Sequence, residues 1–101
     1  MAHPESNLAQ LSSLEEAVLA LTHRSEVTRF LLDLCTPAEI EALRQRWAIA
    51  QLLDNDLPQR KAAEQSDASI ATVTRVARFL QHEQNRGYRL VLDRLRHAGK
   101  R

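Results

Sequence analysis

The stretch P-Q-R-K-A-A-E-Q-S-D-A-S-I-A-T-V-T-R, at residues 58–75, decides the fold of this chain. Pro58 suits the start of a helix, where a missing N–H costs nothing. Asp67 lies in the interruption that follows and is one of the few non-glycine residue types that tolerate positive φ. Ser69 can then cap a second helix by accepting an N–H bond from its first turn. The pattern predicts a helix-turn-helix over residues 58–80, whose second helix, 69–80, is of the kind that enters the DNA major groove.

The second helix of this motif separates apolar from polar side chains. Ile70, Val73 and Ala77 follow spacings of three and four residues, so one face can be buried. Threonine and arginine side chains on the other face suit phosphates and base edges. An ordinary antiparallel helix pair with a capped second helix produces the same pattern, and both interpretations remain open on this motif alone.

The composition favours one small helical domain. A chain of 101 residues has room for one modest core, and its two glycines and three prolines disfavour a turn-rich β fold. We expect a flexible segment over residues 1–11 and a single domain over 12–101. The chain has neither an apolar run long enough for a membrane span nor a secretory signal at its start. Because the lone Cys35 also fits a reducing compartment, we expect a cytoplasmic protein with no membrane partner.

The net charge of +1 conceals two halves of opposite sign. Residues 1–59 carry four basic and nine acidic side chains, whereas residues 60–101 carry ten basic and four acidic ones. The basic half contains the predicted motif, as expected of a protein that binds a polyanion. The alternative is a solvated basic face near the C-terminus, formed by Arg86, Arg89, Arg94, Arg96, Lys100 and Arg101.

Helix start signals divide the rest of the chain. Ser13 and Glu16 have the spacing of a capping box for a first helix over 14–23. Thr36, Pro37 and Glu39 supply an N-cap, a proline at the first position and an acid at the third. We therefore expect an all-α fold of six helices: 14–23, one from a cap at Ser25 to Leu34, one from Thr36 to Leu53, the motif helices near 58–65 and 69–80, and a last one near 88–97.

These segments resemble a known family. The run C-T-P-A-E-I-E-A-L-R-Q-R-W-A-I-A-Q-L-L at 35–53, joined to the helix-turn-helix, resembles the Trp repressor superfamily. D-L-C-T at 33–36 and G-Y-R-L-V-L-D-R-L at 87–95 are similar to its YerC/YecD-type branch. The resemblance covers about residues 14–96. It implies a six-helix fold, an intertwined homodimer built mainly from the N-terminal helices, and a transcriptional regulator, expected to be a repressor, that binds a near-palindromic operator in double-stranded DNA.

The same resemblance places the DNA-reading positions on the motif. They fall on Gln59 and Arg60 in the first motif helix and on Ile70, Ala71, Thr72 and Thr74 in the second. A lysine that the family carries in the first motif helix is replaced here by Ala63. Together with the basic and hydroxyl side chains beside them, the predicted DNA-binding residues are Gln59, Arg60, Lys61, Ser69, Ile70, Ala71, Thr72, Thr74, Arg75 and Arg78.

The resemblance also implies a remnant of a ligand pocket. Thr36, Arg46 and Arg75 match a threonine and two arginines that tryptophan-binding members use. A glycine and a serine of that pocket are replaced by Val76 and Phe79, which are bulkier and would project into the space for an indole ring. We therefore expect that the protein does not respond to tryptophan, and the nature of any small-molecule effector stays open. The alternative role for the two arginines is an interhelical or phosphate-facing pair.

Dimerisation is also expected on physical grounds. Six short helices with four aromatic side chains make a thin core for a single chain. Apolar stripes in the first two predicted helices need a partner surface. The stripes are formed by Leu14, Val18 and Leu21 and by Phe30, Leu31 and Leu34.

Little in the sequence indicates catalysis or a bound cofactor. His3, His23, His82 and His97 lie on separate segments without the spacing of metal ligands. No nucleophile motif or phosphate-binding loop is present. We expect no enzyme activity, no metal and no cofactor. The alternatives to a tryptophan-independent regulator are a helical protein-interaction module that does not bind DNA and a true tryptophan-dependent repressor.

Overall fold

The computed structural model describes residues 4–82 and 84–99, with side chains from Gln10 onwards. Within these residues the chain forms six α-helices and no strand, which confirms the predicted all-α fold. The helices are α1 (Pro4–Leu19), α2 (Arg24–Leu34), α3 (Pro37–Asp54), α4 (Gln59–Ser66), α5 (Ile70–Gln81) and α6 (Gly87–His97). No helix among the described residues is both long and apolar enough to cross a bilayer.

The chain divides into two compact units at α3. The first unit ends at Ile40 and contains α1, α2 and the first turn of α3. The second begins at Glu41 and contains the rest of α3 with α4, α5 and α6. The prediction of a single domain over 12–101 therefore stays a prediction.

Local capping fixes the helix starts of the first unit. The Thr36 N–H donates to Glu39 Oε1 at 2.8 Å and the Glu39 N–H donates to Thr36 Oγ1 at 3.2 Å, which confirms the predicted start of α3. At α2 the predicted cap, Ser25, is wrong. Thr22 donates to Glu26 Oε1 from both its N–H, at 2.8 Å, and its hydroxyl, at 3.0 Å, and the helix begins one residue earlier than Ser25.

The start of α1 also differs from the prediction. A capping box at Ser13 and Glu16 was expected to open the first helix, but α1 runs from Pro4 to Leu19 and contains both residues in its interior. Proline is tolerated at the first helical position because its missing N–H has no partner there in any case. The helix therefore includes most of the segment expected to be flexible.

The core of the second unit lies where α3, α4 and α5 meet. Ile49, Ala50, Ala62, Val73 and Val76 are buried together, with at most 1% of each residue exposed. Ala50 and Ala62 contribute small side chains to this core. This core anchors the buried side of α5 and leaves its other side at the surface.

Helix α6 is attached to α3 at two places. The rings of Trp47 and Tyr88 stack with their centroids 6.5 Å apart. At the C-terminal end of α3, Asp54 accepts a 2.8 Å hydrogen bond from Arg89 and a 2.7 Å bond from Arg96. The hydrogen bond with Asp54 raises the pKa of Arg89 above its usual value. Leu92 is the fully buried residue of α6.

Candidate nucleic-acid interface and the cavity beside it

The turn between α4 and α5 has the predicted conformation. Asp67 adopts the left-handed region with φ 55° and ψ 37°. The Ser69 hydroxyl accepts the N–H of Thr72 at 3.1 Å and so caps α5. Because Val73, Val76 and Ala77 are buried on one side of α5, the capped helix is held with its opposite side outward.

The predicted DNA-binding residues lie on the exposed sides of α4 and α5. Nine of the ten are exposed and Thr72 is half-buried. The Thr74 hydroxyl donates to Gln59 Oε1 at 3.5 Å and connects the beginning of α4 with the middle of α5. Ile70, at the first position of α5, is 55% exposed, so it does not belong to the buried face that its spacing with Val73 and Ala77 predicted.

The basic side chains of this surface have different environments. The Lys61 Nζ lies 3.9 Å from Glu64 Oε2, a loose and exposed ion pair. The Arg75 guanidinium lies over the ring of Phe79, 4.7 Å from its centroid, within the range of a cation–π contact. Arg60 and Arg78 extend from exposed positions on α4 and α5.

A cavity of about 540 Å³ lies between α3, α5 and α6. Four of the five residues predicted for a ligand pocket line it: Arg46, Arg75, Val76 and Phe79. The fifth, Thr36, belongs to the first unit and pairs with Glu39 at the start of α3. The volume of the cavity falls within the usual range for small-molecule sites, so Val76 and Phe79 shape this space without filling it.

Sequence reasoning missed the part of the cavity wall that α6 provides. The sequence predicts a last helix near 88–97, but local signals do not show which other helices it contacts. Val91, an apolar residue of α6, is 45% exposed. The additional lining residues are Trp47, Asn85, Gly87, Tyr88 and Val91.

The C-terminal basic residues do not form one uniform charged face. Arg89 and Arg96 both bind Asp54, whose side chain is only 6% exposed, so part of their charge is neutralised within the fold. Lys100 and Arg101 lie outside the described residues. The surface most relevant to a polyanion is therefore that of α4 and α5.

The side chains that could bind a metal ion are scattered over the fold. Among the residues that the structure describes, His, Cys, Asp and Glu form no group of three or more that could hold a metal ion. His3 lies outside those residues. Cys35 is a half-buried free thiol at the end of α2.

Comparison with known proteins identifies the family. The family model for the Trp repressor protein matches residues 9–96. The chain belongs to the Trp repressor family. It is 37% identical over 87 residues to the uncharacterized protein YerC of Bacillus subtilis (strain 168), an alignment that covers 86% of this chain and 83% of YerC.

A solved structure agrees with this assignment. A candidate Trp repressor from Staphylococcus aureus, known from a crystal structure, superposes with a TM-score of 0.82 at 36% identity. The superposition covers 94% of this chain and 96% of that one. The six-helix fold is thus that of a Trp repressor-like protein, and membership of this family indicates a DNA-binding regulator rather than an enzyme.

Proposed function

We propose that this Trp repressor family member is a dimeric repressor that reads the major groove of a near-palindromic operator with α5. The observation that carries the proposal is the construction of α5. Its inner side is fixed by Val73, Val76 and Ala77 in the core, while its outer side presents hydroxyl, arginine and apolar groups to solvent. Hydroxyl and arginine groups bind phosphates and base edges, and apolar groups contact thymine methyls.

Electrostatics supports the same surface. The motif lies in the half of the chain with ten basic and four acidic side chains. Arg60 at the start of α4 and Arg78 on α5 can approach two stretches of phosphate backbone on either side of a groove. Ile70 and Ala71, in the first turn of α5, occupy the part of a recognition helix that contacts base edges.

The dimer is proposed from the apolar surface of the first unit. None of its described side chains, from Gln10 to Ile40, is buried, and several large apolar ones are exposed. Burial of this surface in a second copy would stabilise helices that have no core in one chain. A two-fold dimer of this kind would space its two reading helices about 34 Å apart, one turn of DNA.

The first experiment measures the fluorescence anisotropy of labelled random-sequence duplex DNA titrated with the protein at several salt concentrations. We expect affinity to fall steeply with salt because phosphate contacts release counterions. Arg60→Ala and Arg78→Ala should weaken binding, and each should reduce the salt slope by about one if its arginine binds one phosphate.

Arg44→Ala provides the matched control. Arg44 is an exposed arginine on α3 whose guanidinium binds both carboxylate oxygens of Glu41, at 2.7 and 2.9 Å. Its replacement removes the same charge away from the proposed interface and should leave the salt slope unchanged. Equal affinity of all three variants would contradict the proposed docking mode. No binding by the unmutated protein at low salt would favour the interaction-module alternative.

We further propose that the repressor does not respond to tryptophan. Val76 and Phe79 line the cavity where tryptophan-binding relatives are expected to have glycine and serine, and Phe79 already provides an aromatic ring beneath Arg75. The second candidate function, a tryptophan-dependent repressor, is favoured by one observation: Arg46 and Arg75 both line the remaining volume, where they can bind a carboxylate.

Isothermal titration calorimetry with L-tryptophan separates these two functions. We expect no saturable heat in the micromolar range and no change in DNA affinity when tryptophan is added. Saturable binding that is abolished in Arg46→Ala would instead establish the tryptophan-dependent repressor.

A further inference from the structure

The turn that joins α4 to α5 leaves backbone carbonyls in need of partners. The Ala63 carbonyl accepts the N–H groups of Asp67 and, at 3.2 Å, of Ala68. The Ser66 hydroxyl donates to the Ala62 carbonyl at 2.6 Å. The carbonyls of Ser66 and Asp67 lie at and beyond the last residue of α4, so the helix that ends there supplies no N–H to either of them.

A side chain from α3 satisfies both of these carbonyls. The Gln45 amide nitrogen donates to the Asp67 carbonyl at 3.0 Å and to the Ser66 carbonyl at 3.3 Å. A primary amide has two N–H groups, so one side chain can serve both acceptors. Gln45 is half-buried and lies 21 and 22 positions before its partners in the chain.

The bond to Asp67 is made to a residue with a left-handed backbone conformation. Asp67 holds φ at 55°, a conformation that costs a non-glycine residue free energy. The angle between α4 and α5 depends on the dihedral angles of this residue and its neighbours. Gln45 connects the turn to α3. The same helix contributes Ile49 and Ala50 to the core of the second unit.

We propose that Gln45 is a positioning residue for DNA reading: its amide fixes the left-handed turn against α3 and thereby sets the angle at which α5 enters the groove. The inference rests on the proposed function, because it concerns how the reading helix is aimed. Gln45 itself contacts no DNA in this arrangement. Its replacement should therefore impair recognition of sequence more than attraction to phosphate.

Two substitutions test this role. Gln45→Met keeps the length and helix propensity of the side chain but removes the amide donors. Gln45→Glu keeps the shape and turns a carboxylate toward two carbonyls. Gln51→Met and Gln51→Glu are the matched controls, since Gln51 is a half-buried glutamine on the same helix.

The readouts are affinity for an operator selected from random DNA, affinity for random DNA itself, and hydrogen exchange of the turn amides. In both Gln45 variants we expect the ratio of operator to random affinity to fall roughly tenfold, the size of one hydrogen bond in an equilibrium constant. Random-DNA affinity and salt slope should stay within about twofold. The Ala68 amide should exchange faster, while the Gln51 variants behave as the unmutated protein.

Each other outcome is decisive. A loss of thermal stability with an unchanged affinity ratio would show that Gln45 only stabilises the fold, and unchanged exchange at Ala68 would show that it does not hold the turn; either overturns the inference and leaves the proposed function standing. Absence of DNA binding by the unmutated protein would overturn the proposed function and this inference with it. If Gln45→Glu does not fold, Gln45→Met alone decides between these outcomes.

Discussion

The two units of this chain are both helical, but they differ in how many apolar side chains they bury. The second unit contains all seven buried apolar residues of the described chain, from Ile49 to Leu92. The first unit, over its described side chains, buries none. Instead it exposes large apolar side chains, among them Leu19 at 83%, Leu32 at 64% and Leu34 at 53%.

This difference bears on the proposed function, which needs a rigidly held α5 and a second copy of the chain. A helix that reads DNA must hold one orientation, which the closed core of the second unit provides within a single chain. In the first unit, side-chain hydrogen bonds stabilise the starts of α2 and α3, yet none of the described side chains is buried. Apolar burial is the main source of helix stability in proteins. The helices of the first unit therefore need a further apolar surface, which a second copy of the chain would supply in the proposed dimer.

The largest expected effect comes from opening the core of the second unit. Ile49→Ala should lower the free energy of unfolding by about 3 kcal/mol, since the residue is fully buried and its removal leaves a cavity. Urea denaturation followed by circular dichroism measures this change. Ile70→Ala is the matched control: the same truncation at a site 55% exposed should cost less than about 1 kcal/mol. Similar costs at both sites would refute the assignment of the core.

A charge in the apolar surface of the first unit should break the dimer. Leu14→Asp is expected to raise the dimer dissociation constant at least roughly a hundredfold, because an unpaired carboxylate is costly to bury. Sedimentation equilibrium at micromolar concentration measures the dissociation constant. Ser12→Asp, an exposed polar site on the same helix, introduces the same charge and should have little effect. A stable monomer in the unmutated protein would remove the basis for this prediction and for the dimer.

The attachment of α6 to α3 should be of intermediate importance. Asp54→Asn replaces a nearly buried carboxylate that binds two arginines, and we expect a loss of roughly 1 to 2 kcal/mol, since both arginines can regain partial hydration. Thermal unfolding of Asp56→Asn is the comparison, because Asp56 is exposed and asparagine tolerates its positive φ. An effect no larger than that of Asp56→Asn would show that the bridge does not hold α6.

The smallest expected effect is a pH dependence in the first unit. Hydrogen bonds from the Thr22 backbone and hydroxyl hold the pKa of Glu26 below its ordinary 4.5. A lowered folded pKa contributes stability that is present above the unfolded value and is lost as pH falls through the folded value. An NMR titration of the Glu26 carboxyl should give a midpoint below 4.5, with fraying at the start of α2 below that pH. A midpoint above 4.5 would contradict the capping contact.

Most of the secondary structure could be predicted because its signals are local. The starts of α3 and α5 depend on caps three residues from their partners, and both predictions are confirmed. The left-handed Asp67 followed from the few residue types that tolerate that conformation. The failure at α1 has a local cause too, since serine and glutamate three apart are compatible with a helix interior when the helix begins earlier.

The candidate site could be predicted only in part. The exposed residues of α4 and α5 were found from the motif and its family resemblance. Gln45 carried no signal, because a glutamine on a helix gives no indication of a turn 21 positions later. Tyr88 and Val91 belong to the predicted last helix, but their place in the cavity wall depends on how α6 packs.

The sequence by itself determined the helices, their caps, the left-handed turn and the concentration of positive charge in the second half. Each of these depends on residues within one or two helical turns of each other or on composition. Only the tertiary structure decided which apolar side chains form the core, which arginines bind Asp54 and which side chain binds the turn between α4 and α5. The contacts of Gln45 and Asp54 join residues 21 to 42 positions apart, and side-chain spacing along one helix does not show which helices will contact each other.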